Sequence, residues 1–323
     1  MQIDGIHHIS TVTENGRSAT EFVTGVLGLR LAAKTVNQDA PDMYHLFFTD
    51  EDASAGSDLT MFEARGASRG RAGAGMVHRI VFRVADESAL DFWAKRLTTY
   101  GLANRRIGAS LFFEDPEGLG FELVVDDTSD APLRAKHPQI PEEVALRGFG
   151  GVRIFSGRPD LSGVVLTDVL GASTLDARGD QGVAEGGFDE QARFELRSDR
   201  RGGIVSLDAV PDARGMQGAG TVHHVAFGVR TGEYQEWLPH VEQAGLRTSG
   251  LVDRFYFESI YFREPGGVLY ELATDGPGFE SRNPREEWGV KTILPPWLES
   301  QRAAIEANLQ PIPNPREEWA LDG

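Results

Sequence analysis

A short run rich in β-branched and aromatic residues occurs four times in this chain, as IHHISTV at 6–12, VHRIVFRV at 77–84, GVRIF at 151–155 and VHHVAFGV at 222–229. Self-similarity at a fixed period constrains a fold more than any single segment does, because each copy reads as one supersecondary unit that needs a neighbour to bury its apolar face. Every run is followed by a segment with the apolar spacing of an amphipathic helix: SATEFVTGVLG, ESALDFWAKRLTTYG, DLSGVVLTDVLG and EYQEWLPHVEQAG. Gly28, Gly101, Gly171 and Gly245 close these segments, where a helix end calls for a residue that enters the left-handed region without a Cβ clash. Further alternating segments follow, and each unit closes on an aromatic residue and a glutamate: Phe62-Glu63, Phe121-Glu122, Phe194-Glu195 and Tyr270-Glu271. The pattern predicts an α+β fold of four βαβββ modules near 5–65, 76–127, 147–210 and 219–275.

The expected organisation is an N-terminal domain over 1–127, a linker over 128–146 rich in Asp, Pro and charge, a C-terminal domain over 147–276 and a tail over 277–323. The tail carries Pro295-Pro296, a helix candidate WLESQRAAIEANL, and the hexapeptide NPREEW twice, at 283–288 and 314–319. No chemistry attaches to that hexapeptide, and a solvated tail or packing is its expected role.

Composition narrows the function classes. The chain has no cysteine, which excludes disulfides and thiolate chemistry, and a formal net charge of −17, which opposes binding to nucleic acid or to an anionic membrane surface. No apolar run approaches a membrane span and the first residues have no leader character, so a cytoplasmic location is expected. Self-association into a homo-oligomer is left open. A metal in this chain has only His, Asp and Glu as side-chain ligands, which suits hard or borderline cations.

Four of the eight histidines form two pairs, His7-His8 and His223-His224, at the same place in the first strands of modules 1 and 4. Side chains alternate across a strand, so one member of each pair can face a concave surface while its neighbour supports it. Modules 2 and 3 act as an internal control, because aligning their first strands puts Arg79 and Gly151 at the positions of His8 and His224. One metal site built by modules 1 and 4 follows, with His8 and His224 as ligands. Glu271, in the hairpin YFREPGGVLYELATD, supplies the third. Two His and one carboxylate leave coordination positions open, as in non-haem Fe(II) oxygenases.

GIHHIS, LGLRLAAKTVNQDAPDMYHLFF, VHHVAFGV, YFREPGGVLYE and LPPWLESQRAAIEANL together resemble the vicinal oxygen chelate superfamily of glyoxalase I, extradiol dioxygenases and bleomycin-resistance proteins. Within it the closer likeness is to ring-cleaving dioxygenases of the hydroquinone 1,2-dioxygenase type. LxLxxKTVNxD followed by YHL is fairly specific for that subgroup, whereas PGGxxYE is shared by the superfamily. The resemblance implies modules paired into two cup-shaped mixed sheets, and Fe(II), replaceable by Mn(II) or Zn(II), on His8, His224 and Glu271. It further implies His7, His223, Arg254, Tyr261 and Ser10 as catalytic residues, and a small aromatic substrate, a hydroquinone or catechol, cleaved with O2. Tyr261 or His223 would donate a proton, Arg254 would stabilise anionic charge, and His7 would act as base.

One departure from that pattern is Glu63, where relatives often carry proline; as a fourth ligand it would favour a glyoxalase-like lyase or isomerase using Zn(II) or Ni(II). A non-catalytic protein that sequesters an aromatic compound is the other alternative. Two geometric expectations follow. Modules 1 and 4 must share one cup and modules 2 and 3 the other, or His8 and His224 cannot meet. Tyr261 shares the face of Glu271 only if the hairpin loop has an odd number of residues, which REPGG at 263–267 satisfies by pairing Tyr261 with Leu269.

Overall fold

Each module folds as a strand, a helix and then a group of strands. The structure is a computed structural model that describes residues 1–177, 179–180 and 187–319. Module 1 gives β1 (Ile3–Thr13), α1 (Gly16–Thr20) running on as a wider turn over Glu21–Val26, then β2 (Arg30–Asn37), β3 (Ala40–Thr49) and β4 (Asp58–Glu63). Module 2 gives β5 (Met76–Val84), α2 (Glu87–Thr99), β6 (Asn104–Ile107), β7 (Ser110–Glu114) and β8 (Gly120–Val125). Module 3 gives β9 (Phe149–Phe155), α3 (Pro159–Val164) continued over Val165–Val169, β10 (Ser173–Leu175), β11 (Gly179–Asp180), β12 (Asp189–Arg197) and β13 (Gly202–Asp208). Module 4 gives β14 (Thr221–Val229), α4 (Tyr234–Gln243), β15 (Val252–Asp253), β16 (Phe257–Arg263) and β17 (Leu269–Pro277). The four helix-ending glycines all take positive φ, +79° at Gly28, +73° at Gly101, +73° at Gly171 and +79° at Gly245, as the sequence predicts.

Modules pair across the chain. One sheet runs β15-β16-β17-β14-β1-β4-β3-β2 and joins modules 4 and 1; the other runs β10-β12-β13-β9-β5-β8-β7-β6, with β11 beside β12, and joins modules 3 and 2. Both are mixed sheets whose central strands pair antiparallel. At the first centre His8 faces Ala226 and Ser10 faces His224. At the second, Arg79 faces Arg153 and Val81 faces Gly151. The two crossings are equivalent residue for residue, which places Arg79 and Gly151 at the histidine positions.

The parallel pairings correct the expected equivalence of the four closing glutamates. Glu271 lies beside Ala226 and Glu122 beside Val81, each two residues past the His8/His224 position. In module 1 that place belongs to Thr60, beside Ser10, and in module 3 to Ser206, beside Arg153. Glu63 comes three residues after Thr60, an odd step that turns it to the other face, and Glu195 lies on the neighbouring strand β12. Unequal spacing within the modules lets the same dipeptide fall at different ladder positions.

The second cup is filled by its own side chains. Arg153 donates from Nε and Nη2 to Asp208 at 2.9 and 2.6 Å, and His78 Nε2 meets the same carboxylate at 2.7 Å. Glu122, the counterpart of Glu271, accepts the Ser110 hydroxyl at 2.7 Å and lies 3.7 Å from Arg153 Nη1. A buried guanidinium thus neutralises the carboxylates there.

Faces turned away from the cups hold the core, where Ile9, Leu59, Val225 and Phe227 join Phe22 and Val23 in one hydrophobic cluster. The tail runs along the free edge of β2, with Ile293 N donating to Lys34 O at 2.8 Å and Lys34 Nζ to Ile312 O at 2.8 Å, so the edge of the sheet is covered. Both NPREEW copies end on one loop: Arg316 pairs with the Glu51 carboxylate at 2.9 and 2.8 Å, and Arg285 donates to Glu51 O and Asp52. Among the described residues no helix is long and apolar enough to cross a membrane.

Candidate metal centre

Two adjacent histidines on β1 and two on β14 make the same local arrangement. His7 Nδ1 meets His8 Nδ1 at 2.9 Å, and His223 Nδ1 meets His224 Nδ1 at 2.8 Å. The inner ring of each pair therefore has one nitrogen fixed and turns Nε2 to the cup, the support that a ligating imidazole needs. Across β1 and β14 the two Nε2 atoms are 3.3 Å apart. Glu271 Oε2 lies 3.1 Å from His8 Nε2 and 2.8 Å from His224 Nε2.

All three residues are buried, and Glu271 Oε2 makes no hydrogen bond while its partner Oε1 accepts from Ser259. Three lone-pair donors from three strands thus converge on one point, each oriented by a second contact, and among the described residues they are the one such group of His, Asp and Glu. The donor set fits a divalent cation, because an orphaned buried carboxylate oxygen beside two imidazole nitrogens is costly until a cation satisfies it. Burial opposes charge on Glu271, yet His8 and His224 hold its carboxyl well below the usual range.

A cavity of about 350 Å³ opens beside the three donors, walled by Phe47, Phe62, Phe257 and Leu269. An apolar pocket with a few convergent polar groups is what a small aromatic molecule requires. Tyr261 and Arg254 line it, with Arg254 Nε donating to the Tyr261 hydroxyl at 3.1 Å and Arg254 Nη1 paired to Asp39 at 3.0 Å. Arg254 is presented by a tight bend in which Phe255 takes φ +70°, a conformation uncommon outside glycine. His223 also lines the cavity. His7 does not: it sits behind His8, 3.9 Å from Asp275 and edge-on to Phe257, and burial together with the neighbouring His8 pushes its imidazole down to about 3. Ser10 is fully buried beneath the pocket and shares a 2.7 Å hydrogen bond with Thr60.

The hairpin loop is five residues long, as parity demands, but it is EPGGV at 264–268 rather than REPGG. Arg263 pairs with Leu269, so Tyr261 stands directly opposite Glu271 instead of Leu269. The shift has a cause in Glu264, whose carboxylate accepts Gly266 N at 2.7 Å, Val268 N at 2.9 Å and the Ser162 hydroxyl at 2.8 Å. Those bonds draw Val268 into the turn, and Gly267 at φ +116° completes it. The odd count survives the shift and Tyr261 faces the cup.

Glu63 does not approach the three donors. It is buried on the opposite face of β4 and accepts Gly16 N at the start of α1 at 2.8 Å. Glu63→Ala is therefore expected to leave metal content unchanged, measured by elemental analysis, while lowering thermal stability by about 1 kcal/mol, the scale of a lost N-terminal helix partner.

Two polar residues of this region carry no pairing signal in the sequence. Asp58 lies beside His8 in the ladder, buried with neither oxygen hydrogen-bonded, and burial raises its carboxyl to about 7 against the pull of His8. His45 lines the cavity with Nε2 bonded to Thr60 Oγ1 at 3.0 Å, and its ring lies between Phe47 and Phe62, 4.1 Å from each ring centre. Burial and the nearby His8 and His224 hold it well below the ordinary imidazole range, hence neutral. YHL marks His45 within a family-like motif but gives no chemistry for it; only the strand order brings it to the pocket.

Residues 5–123 match the family described as the Glyoxalase/Bleomycin resistance protein/Dioxygenase superfamily. The chain is similar to a Bacillus subtilis protein named "Putative ring-cleaving dioxygenase MhqA", 38% identical over 97% of this chain and 100% of that protein. It is similar also to "Chlorohydroquinone/hydroquinone 1,2-dioxygenase" of Sphingobium indicum, 32% identical over 92% of this chain and 93% of that one. Among solved structures, a Bacillus subtilis protein described as a "putative dioxygenase" superposes with a TM-score of 0.88 at 34% identity, covering 96% of this chain and 98% of that one. Glyoxalase I from Zea mays, at 16% identity and a TM-score of 0.58 over 84% of this chain and 92% of its own, shares the fold.

Proposed function

The chain belongs to the glyoxalase/bleomycin resistance protein/dioxygenase superfamily, and from that membership we propose that it is an Fe(II)-dependent dioxygenase that opens the ring of a hydroquinone or catechol-like aromatic with O2. The observation that carries the reading is the convergence of His8, His224 and Glu271 at the floor of an aromatic-walled cavity. The relatives named as ring-cleaving dioxygenases span nearly the whole chain, which supports the same reading. Held by these three residues, Fe(II) would lower the pKa of a ligating phenol and supply the redox chemistry with O2.

The chain's own residues would then act as follows. The apolar walls exclude water and orient the ring, and Arg254 meets anionic charge that develops on the substrate. The Tyr261 hydroxyl, opposite Glu271 and beside Arg254, holds a proton at Oη that can be passed to reacting oxygen. His223, which lines the cavity, would exchange a proton with a molecule bound there, while His7 would orient His8 from behind. The glyoxalase-like alternative drew on Glu63 as fourth ligand, and the Gly16 contact of Glu63 on the opposite face removes that support.

The test is oxygen uptake by protein reconstituted anaerobically with Fe(II). Stoichiometric O2 consumption with hydroquinone or catechol and a new ring-opened chromophore is expected; turnover of a hemithioacetal without O2 would overturn the reading.

A further inference from the structure

The wall of the cavity formed by β2 and β3 carries polar atoms for which the protein provides no partner. β3 lies two strands from β1 in the sheet, with β2 beyond it, so the backbones of Thr35 and His45 lie about 10 Å or more from that of the nearer histidine strand. They are directly opposed in the β2-β3 ladder and both line the cavity. Thr35 is 3% exposed and its hydroxyl makes no hydrogen bond. His45 uses Nε2 on Thr60, which is tied in turn to Ser10; its Nδ1 has no hydrogen-bond partner among the described residues.

Asn37, Gln38 and Asp39, the next polar residues along β2 and its turn, are committed. Asn37 accepts Asp39 N at 2.9 Å, Gln38 donates to Arg254 O at 3.0 Å, and Asp39 is the ion-pair partner of Arg254. The ring of His45 is held by Phe47 and Phe62 on either side, so Nδ1 is fixed in place rather than free to swing.

The buried Thr35 hydroxyl is unfavourable until something pairs with it, and beside it the Nδ1 of His45 has no protein partner among the described residues. We propose that Thr35 and His45 form a polar subsite for the ring hydroxyl farthest from the metal, selecting a 1,4-benzenediol over a phenol that lacks the second hydroxyl. The proposal rests on the ring-cleavage reading and names its substrate class. On a ring held with one hydroxyl toward His8, His224 and Glu271, a para hydroxyl would point across the cavity toward this wall. The adjacent hydroxyls of a catechol both stay at the metal end. Thr60 is the intermediary: when Ser10 donates to Thr60 and the Thr60 hydroxyl donates to Nε2, the proton of neutral His45 stands on Nδ1, as a donor to the substrate oxygen.

Fe(II)-loaded protein, kept anaerobic, is titrated with hydroquinone and with phenol and read by quenching of intrinsic fluorescence. The wild type is expected to bind hydroquinone about tenfold or more tightly than phenol, since a site built for a hydroxyl rejects the analogue without it. In His45→Phe, which keeps a ring between Phe47 and Phe62, that ratio falls toward one with phenol affinity and iron content unchanged. Thr35→Val, nearly isosteric, lowers the ratio in the same direction and serves if the histidine variant does not fold. An unchanged ratio in a folded variant, or no preference in the wild type, overturns the subsite. Oxygen uptake by the wild type with hydroquinone separates the two ideas: its presence with an unchanged ratio sinks the subsite alone, and its absence sinks the ring-cleavage reading.

Discussion

Replacing His8, His224 or Glu271 by alanine is expected to take bound iron from about one ion per chain to none detectable, and oxygen uptake to background. Each residue gives one of three converging donor atoms, and a two-ligand remnant rarely retains a labile divalent ion. Glu271→Gln makes the sharper variant. Its amide keeps the volume of the carboxylate and a contact for Ser259 but lacks the anionic oxygen that faces both imidazoles. Loss of iron with an unchanged thermal midpoint in the metal-free protein would separate the ligand role from a packing role. Glu122→Gln and Glu195→Gln are the matched controls and should keep full iron. Glu122 occupies the register of Glu271 in a cup where Arg79 and Gly151 stand in place of histidines, and Glu195 lies on a different strand. Full occupancy in His224→Ala would end the assignment.

The second large effect is expected at Tyr261. Burial and the neighbouring Glu271 push its phenol well above the ordinary tyrosine range, against the opposing effect of Arg254. Phenylalanine would preserve the edge-on contact with the His224 ring at 5.7 Å and the guanidinium of Arg254 at 5.1 Å, while deleting the hydroxyl. Turnover of Tyr261→Phe should fall roughly 10²-fold or more, the scale of one positioned proton donor, with iron content and KM near those of the wild type. A fully active Tyr261→Phe protein would remove Tyr261 from the mechanism without touching the metal centre.

These expectations differ in how far the chain announces them. The modules, their helices and the glycines that end them are legible in the sequence because they rest on contacts within a few residues: strand alternation, helical spacing, a left-handed residue after the last turn. The paired histidines are legible too, since two copies of one local pattern stand against two copies without it. Ladder register is another matter. Whether a glutamate near a module's end reaches the cup depends on which residue of the neighbouring strand it meets, and an odd step reverses its face. For that reason Glu63 and Glu195 share a dipeptide with Glu271 and not its position, whereas Thr60 shares the position with no likeness in sequence. The hairpin loop moved by one residue because Glu264 bonds to the amides of its own turn and to Ser162 from a module about a hundred residues away. His45 gained its place from the order β1-β4-β3, which carries an unpaired histidine to the wall of a pocket. Local periodicity determined the units and the paired histidines; the pairing of distant strands, which no local pattern encodes, decided which side chains meet.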